Sequence, residues 1–155
     1  MAKEKTEKRE VRLSPQQLVS LYQNQRALMD GLLQQEAMMQ SALQEIAAAE
    51  DALKEIDKAD AGANILALLG AGVFVEAQVK GKQVKSDIGT GVIETTTVKN
   101  ALAHLEIKKK NVSANMARLQ KKKQETAVGL ARLESILKQV QGALAKKDTS
   151  PSSVS

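Results

Sequence analysis

The sequence predicts an α+β fold that is mainly α: a long antiparallel two-helix coiled coil whose helices are joined by two central β-hairpins. Three observations predict it. Apolar residues recur at alternating steps of three and four over two long tracts, one on each side of the chain's centre. The centre itself is a run of short β-rich stretches divided by glycines. The 155 residues are 43% apolar and 26% charged but only 1% aromatic. Compact cores and ligand pockets lean on aromatic bulk, whereas Ala, Leu, Val and Met set among Lys, Glu and Gln is the make-up of long helices.

Residues 1–12 hold five Lys/Arg and three Glu and are expected to form a disordered basic N-terminus. Ser14 followed by Pro15 supplies an N-cap and a first-turn proline for a helix within residues 13–60. Counting by sevens gives Leu18, Gln25, Leu32, Met39, Ile46 and Leu53; three residues after each stand Leu21, Leu28, Gln35, Ala42, Ala49 and Ile56. Ten of these twelve positions are apolar, which predicts a coiled-coil seam rather than a short amphipathic helix. At 1.5 Å per residue the helix should be roughly 65 Å long.

The second tract, residues 97–147, repeats the pattern. One series is Val98, Leu105, Val112, Leu119, Thr126, Leu133 and Val140, and the other is Leu102, Lys109, Met116, Lys123, Leu130, Leu137 and Leu144. Eleven of the fourteen are apolar, with the hydroxyls of Thr95–Thr97 placed to cap the helix start. Residues 148–155 read as a disordered polar tail. Two heptad helices on one chain are most simply partners of each other, antiparallel, with Ile56 near Val98 and Leu18 near Leu137.

Between them, residues 61–96 contain Ile65–Leu69, Val73–Val79, Gln83–Ile88 and Val92–Thr96, separated by Gly70-Ala-Gly72, Lys80-Gly-Lys82 and Gly89-Thr-Gly91. These are expected to be four strands in two hairpins. So short a section buries little core alone and leaves open sheet edges, so it is expected to oligomerise edge to edge. Leu69, Val73, Phe74, Val75, Val79, Ile88, Val92 and Ile93 are the residues assigned to that contact.

The formal net charge of +5 is uneven. Residues 13–96 carry six basic and eleven acidic side chains; residues 97–147 carry twelve basic and three acidic. In the antiparallel arrangement the acidic stretch 45–60 lies beside Lys99 and Lys108–Lys110, so internal pairing is the expected use of much of this charge. Lys108–Lys110 and Lys121–Lys123 lack the interleaved aromatics that stack on bases, so no nucleic-acid partner is expected.

Catalysis has little to work with. There is no cysteine, His104 is the one histidine, and the acidic cluster lacks calcium-loop spacing. Neither glycine pair continues into a phosphate-binding motif, so each reads as a turn. No enzyme and no cofactor are expected. No apolar run is long enough to cross a membrane, and the charged N-terminus lacks a signal peptide's apolar core, so a soluble, cytoplasmic protein without a membrane partner is expected. On that expectation the Asn111-Val-Ser113 glycosylation pattern goes unused.

The order helix, two hairpins, helix, with Leu69-Gly-Ala-Gly-Val-Phe-Val-Glu-Ala77 and Asp87-Ile-Gly-Thr-Gly-Val-Ile-Glu94 at its centre, resembles the α-type subunit of prefoldin over roughly residues 13–146. The resemblance implies a hexamer of two α-type and four β-type subunits, the latter with one hairpin each. It also implies a β-barrel platform from which coiled coils project. Such complexes are molecular chaperones that hold unfolded client proteins between coiled-coil tips without ATP and deliver them to a group II chaperonin.

Antiparallel pairing places both chain ends at the tip. There Leu13, Val19, Tyr22 and Met29 on the first helix and Ile136 on the second lie off the expected seam, where exposed apolar groups would bind non-native chains. Leu137, Val140 and Leu144 join them where the last turns open. Two other readings remain: a structural coiled-coil scaffold, and a basic nucleic-acid-binding coiled coil.

Overall fold

The computed structural model describes residues 13–89 and 91–147. The expected basic N-terminus, Thr90 and the expected polar tail lie outside them. The element order is α1 (Pro15–Lys58), β1 (Asn64–Gly70), β2 (Val73–Gln78), β3 (Gln83–Asp87), β4 (Ile93–Thr97) and α2 (Val98–Lys147). This is the mainly helical α+β arrangement expected, two long helices with two small antiparallel strand pairs between them in sequence. The chain divides into two compact units. Residues 13–35 and 119–147 form what is here called the terminal unit, and residues 36–118 the hairpin unit.

In the terminal unit α1 begins with a reciprocal cap. The N–H of Gln17 donates to Ser14 Oγ at 3.2 Å, while the N–H of Ser14 donates to Gln17 Oε1 at 2.8 Å. Pro15 occupies the first helical position, where a missing N–H costs nothing. Ser14→Ala should lower local helix stability by about 1 kcal/mol. Hydrogen exchange would show faster amides in the first turn and no change further along; an unchanged first turn would mean that the box contributes nothing.

Leu18, Leu32 and Leu119 are buried in this unit. Thr126 is buried too, its hydroxyl donating to the Lys122 carbonyl at 2.8 Å, so a polar group in the seam is satisfied within its own helix. A Cβ at Gly129 would stand 3.9 Å from Gln25 Oε1, and Met29 lines one groove with Gln124 and Ala127. These neighbours make α1 and α2 antiparallel here, in the expected register.

One expectation is reversed. The buried stripe of α1 runs Leu18, Tyr22, Gln25, Met29, Leu32, in steps of four and three. Leu21 and Leu28 are 38% and 39% exposed. The series starting at Leu18 anchors the seam, but its companion lies four residues on, not three, so Tyr22 and Met29 turn toward α2 and are partly buried. On α2 both expected series are at least partly buried from Leu119 to Val140, whereas Leu144 is exposed.

In the hairpin unit Ile46, Val79, Val98 and Ala101 form the buried apolar core. Val98, 1% exposed, opens α2; its N–H donates to the Lys82 carbonyl at 3.0 Å, and Thr97 Oγ1 accepts from the N–H of Asn100 at 3.2 Å. The expected threonine cap is therefore Thr97. β1 and β2 pair antiparallel from Asn64↔Gln78 to Gly70↔Val73, with Leu69 bulged between Leu68 and Gly70. Ala71 (φ 48°) and Gly72 (φ 78°) close this hairpin, both in the positive-φ region that a type I′ turn requires.

β3 and β4 pair from Gln83↔Thr97 to Asp87↔Ile93, and the N–H of Gly89 donates to Asp87 Oδ1 at 2.8 Å as the chain turns. The two hairpins are separate two-stranded sheets. Val79 falls outside β2: its N–H donates to the Ala63 carbonyl at 2.9 Å and its carbonyl accepts from Gly62 at 2.7 Å. These bonds tie the end of the first hairpin to the segment that enters it.

Candidate protein-interaction surfaces

Nine large apolar side chains of the hairpins are exposed: Leu66, Leu68, Leu69, Val73, Phe74, Val75, Ile88, Val92 and Ile93. Alternation aims Leu66 and Leu68 to one side of β1, and Leu68 stands opposite Phe74 across the ladder. Each hairpin also presents unpaired strand edges. So dense a set of uncovered apolar groups makes the hairpins a candidate contact surface. Of the eight residues assigned to assembly from sequence, seven are exposed. Val79 is buried, because it has left the strand and packs inside its own chain. Leu66 and Leu68 were not singled out, although the alternation Asn64, Leu66, Leu68 could have shown them.

In the terminal unit Leu13, Val19, Ile136 and Leu144 are exposed. Leu13 lines a shallow groove with Ser14, Gln17, Ser20 and Leu21. Tyr22, Met29, Leu137 and Val140 are partly buried in the stripe between the helices. The eight residues assigned to client contact thus fall into an open set of four and a packed set of four.

Two ion pairs order the hairpin unit. Glu50 lies in the seam, its side chain only 10% exposed, and accepts a hydrogen bond from Lys109 Nζ at 2.8 Å; the Lys109 side chain is 42% exposed. The bond to Glu50 and its charge hold the Lys109 ammonium above the ordinary 10.5, with smaller help from Glu106 and Asp51 and against a small desolvation. A raised folded value means the pair's contribution is complete below pH 10.5 and is lost as pH climbs through the raised value. Lys82, in the connection between the hairpins, donates to the Asp57 carbonyl and stands 3.7 Å from its carboxylate, so it caps the last turn of α1. The expected pairing of the acidic stretch with the lysines is realised by Glu50 with Lys109; Lys82 was not foreseen.

Among the described residues no group of three or more His, Cys, Asp or Glu could hold a metal ion, and no helix is long and apolar enough to cross a membrane. His104 is exposed on α2.

Residues 26–143 match the family model described as Prefoldin subunit. This chain belongs to the prefoldin family. A chain of filamentous PFD from Methanocaldococcus jannaschii shares its fold with a TM-score of 0.57 at 18% identity, over 83% of this chain and 98% of that one. The prefoldin beta subunit from Thermococcus strain KS-1 does so with a TM-score of 0.52 at 18% identity, over 81% and 90%. No curated protein sequence matches the chain. Prefoldin membership makes this a chaperone-type subunit from a family of non-enzymatic chaperones, whose members assemble with other prefoldin subunits.

Proposed function

We propose that the chain is an α-type prefoldin subunit, two copies of which join four β-type subunits in a hexamer that captures unfolded polypeptides without ATP and passes them to a group II chaperonin in the cytoplasm. The observation that carries the reading is the nine large apolar side chains left uncovered on two separate hairpins. A small chain with that much exposed apolar surface is stabilised by partners that cover it. Two hairpins instead of one favour the α-type. Leu13, Val19, Ile136 and Leu144, exposed in the unit that holds both ends of the described chain, are the groups assigned to client contact; Tyr22, Met29, Leu137 and Val140 contribute where the helix pair opens.

The test is the native mass of this chain recovered from its own cytosol, with every co-purifying chain identified. Two copies with four of a smaller relative are expected; a homodimer, or a complex with nucleic acid, would overturn the reading. Leu13→Ser, Val19→Ser and Ile136→Ser combined should reduce suppression of client aggregation several-fold at unchanged assembly mass. Full suppression by that variant would remove these residues from the contact. The likeness to a chain of filamentous PFD favours a second reading, self-assembly through the hairpins. A ladder of masses built from this chain alone would select it.

A further inference from the structure

We propose that one face of the terminal unit, α2 from Gln120 to Val128 with Met29 of α1, selects client segments that carry carboxylates beside apolar side chains. This deepens the capture reading and rests on it. Two shallow grooves lie on this face. One, of about 510 Å³, is lined by Met29, Gln120, Lys121, Lys123, Gln124 and Ala127; the other, of about 400 Å³, by Lys121, Gln124, Glu125 and Val128. They share Lys121 and Gln124, so the two form one surface with a ridge along it. Its apolar contributions are the thioether of Met29, Ala127 and the exposed Val128. Methionine adapts to varied apolar shapes, as a surface for many sequences requires.

The charge on this face is what commits it to an acidic occupant. Residues 119–147 carry seven Lys/Arg against two Glu, and residues 13–35 one Arg against one Asp. Residues 36–118, by contrast, carry ten basic against eleven acidic groups. Five of the nine lysines of the hairpin unit, Lys54, Lys58, Lys82, Lys109 and Lys110, each stand within 4.0 Å of a carboxylate. In the terminal unit Glu134 is taken by Lys138. Neither Lys121 nor Lys122 has a carboxylate within 4.0 Å among the described residues. Glu125 is the one carboxylate lining either groove, and it opposes the field of several cations.

An acidic, partly apolar segment laid along this face therefore meets apolar contact and the Lys121 ammonium together, with the exposed Lys122 beside it on α2, outside the lining of either groove. A basic segment of equal apolar content meets the same contact and a repulsive field. Each exposed ion pair is worth about 1.5- to fivefold in affinity, so two such lysines should separate acidic from basic segments by about tenfold at low salt. The preference should shrink in high salt, where screening is nearly complete beyond a few ångströms.

The experiment uses the assembled complex and two fluorescent unstructured peptides with identical apolar residues, one with Glu and one with Lys at every charged position. Fluorescence anisotropy should show the Glu peptide bound about tenfold more tightly, and the ratio should fall to within about twofold at high salt. Lys121→Gln with Lys122→Gln should bring about the same fall at low salt. Both side chains are exposed, so helix content and assembly mass should not change. Equal affinities for the two peptides, or a preference that survives the double substitution, would overturn the proposal. So would displacement of the Glu peptide by single-stranded RNA at concentrations below those of unlabelled Glu peptide, which would make the face a nucleic-acid surface. If neither peptide binds and client aggregation is not suppressed, the capture reading itself fails, a result distinct from capture without charge preference.

Discussion

Phe74→Asp and Ile93→Asp, placed together in one chain, will leave it unable to assemble. Sedimentation should find a lone chain at concentrations where the wild type is fully associated. Each hairpin receives one carboxylate, at positions that are 56% and 67% exposed in the isolated chain. Covering a side chain of this size stabilises an interface by roughly 2 kcal/mol. Trapping an unpaired carboxylate there costs several kcal/mol more. Even at roughly 5 kcal/mol in total, association weakens by a factor of about 10³ to 10⁴. Because both side chains already face solvent, the chain's own fold should be untouched, and circular dichroism should return the wild-type helix content. A variant that still assembles would show that subunits meet somewhere other than the hairpin faces.

The same hairpins show how much of the fold could be read from sequence. Glycine pairs at Gly70 and Gly72 and at Gly89 and Gly91 fall at positive-φ positions that side chains rarely adopt, so the turns were legible and the strand ends followed within one or two residues. The seam of α2 was legible too, because its two apolar series hold with few interruptions. On α1 the anchor series was correct; its companion failed at Leu21, Leu28 and Gln35, which are exposed, but held at Ala42, Ala49 and Ile56, which are partly buried. Counting apolar residues favours Leu21 and Leu28 over a series that goes on through Glu36 and Glu50. The structure places Glu50 in the seam nonetheless, since a carboxylate is tolerated there when a cation reaches it from the facing helix. That cation is Lys109, itself one of the polar interruptions in the α2 pattern. Two exceptions, each lowering the apolar score of its own helix, account for one another only once the helices are paired. Which apolar residues of the terminal unit face outward was the least legible feature, because whether Tyr22 or Leu21 does so turns on that one-residue choice of stripe.

The Glu50–Lys109 pair therefore carries a prediction about register. Glu50→Lys puts a second ammonium where Glu50's carboxylate now accepts a 2.8 Å hydrogen bond, in a site that leaves the side chain little access to water. Breaking a pair of this kind strands a charge, and the melting temperature should fall on the order of 10 °C. Adding Lys109→Glu to it restores opposite charges in reversed order and should recover most of the loss, which a merely poor helix residue at position 50 would not allow. A double variant no more stable than Glu50→Lys would mean that packing alone sets the register. Alkaline titration separates the two accounts further. Lys109's ammonium is held above 10.5, so the wild type should keep the pair's contribution up to that pH and lose it only as the raised value is passed. Lys109→Met has no such proton to lose and should decline less steeply in that window. Equal slopes for the two proteins would leave the pair without a part in holding α1 against α2.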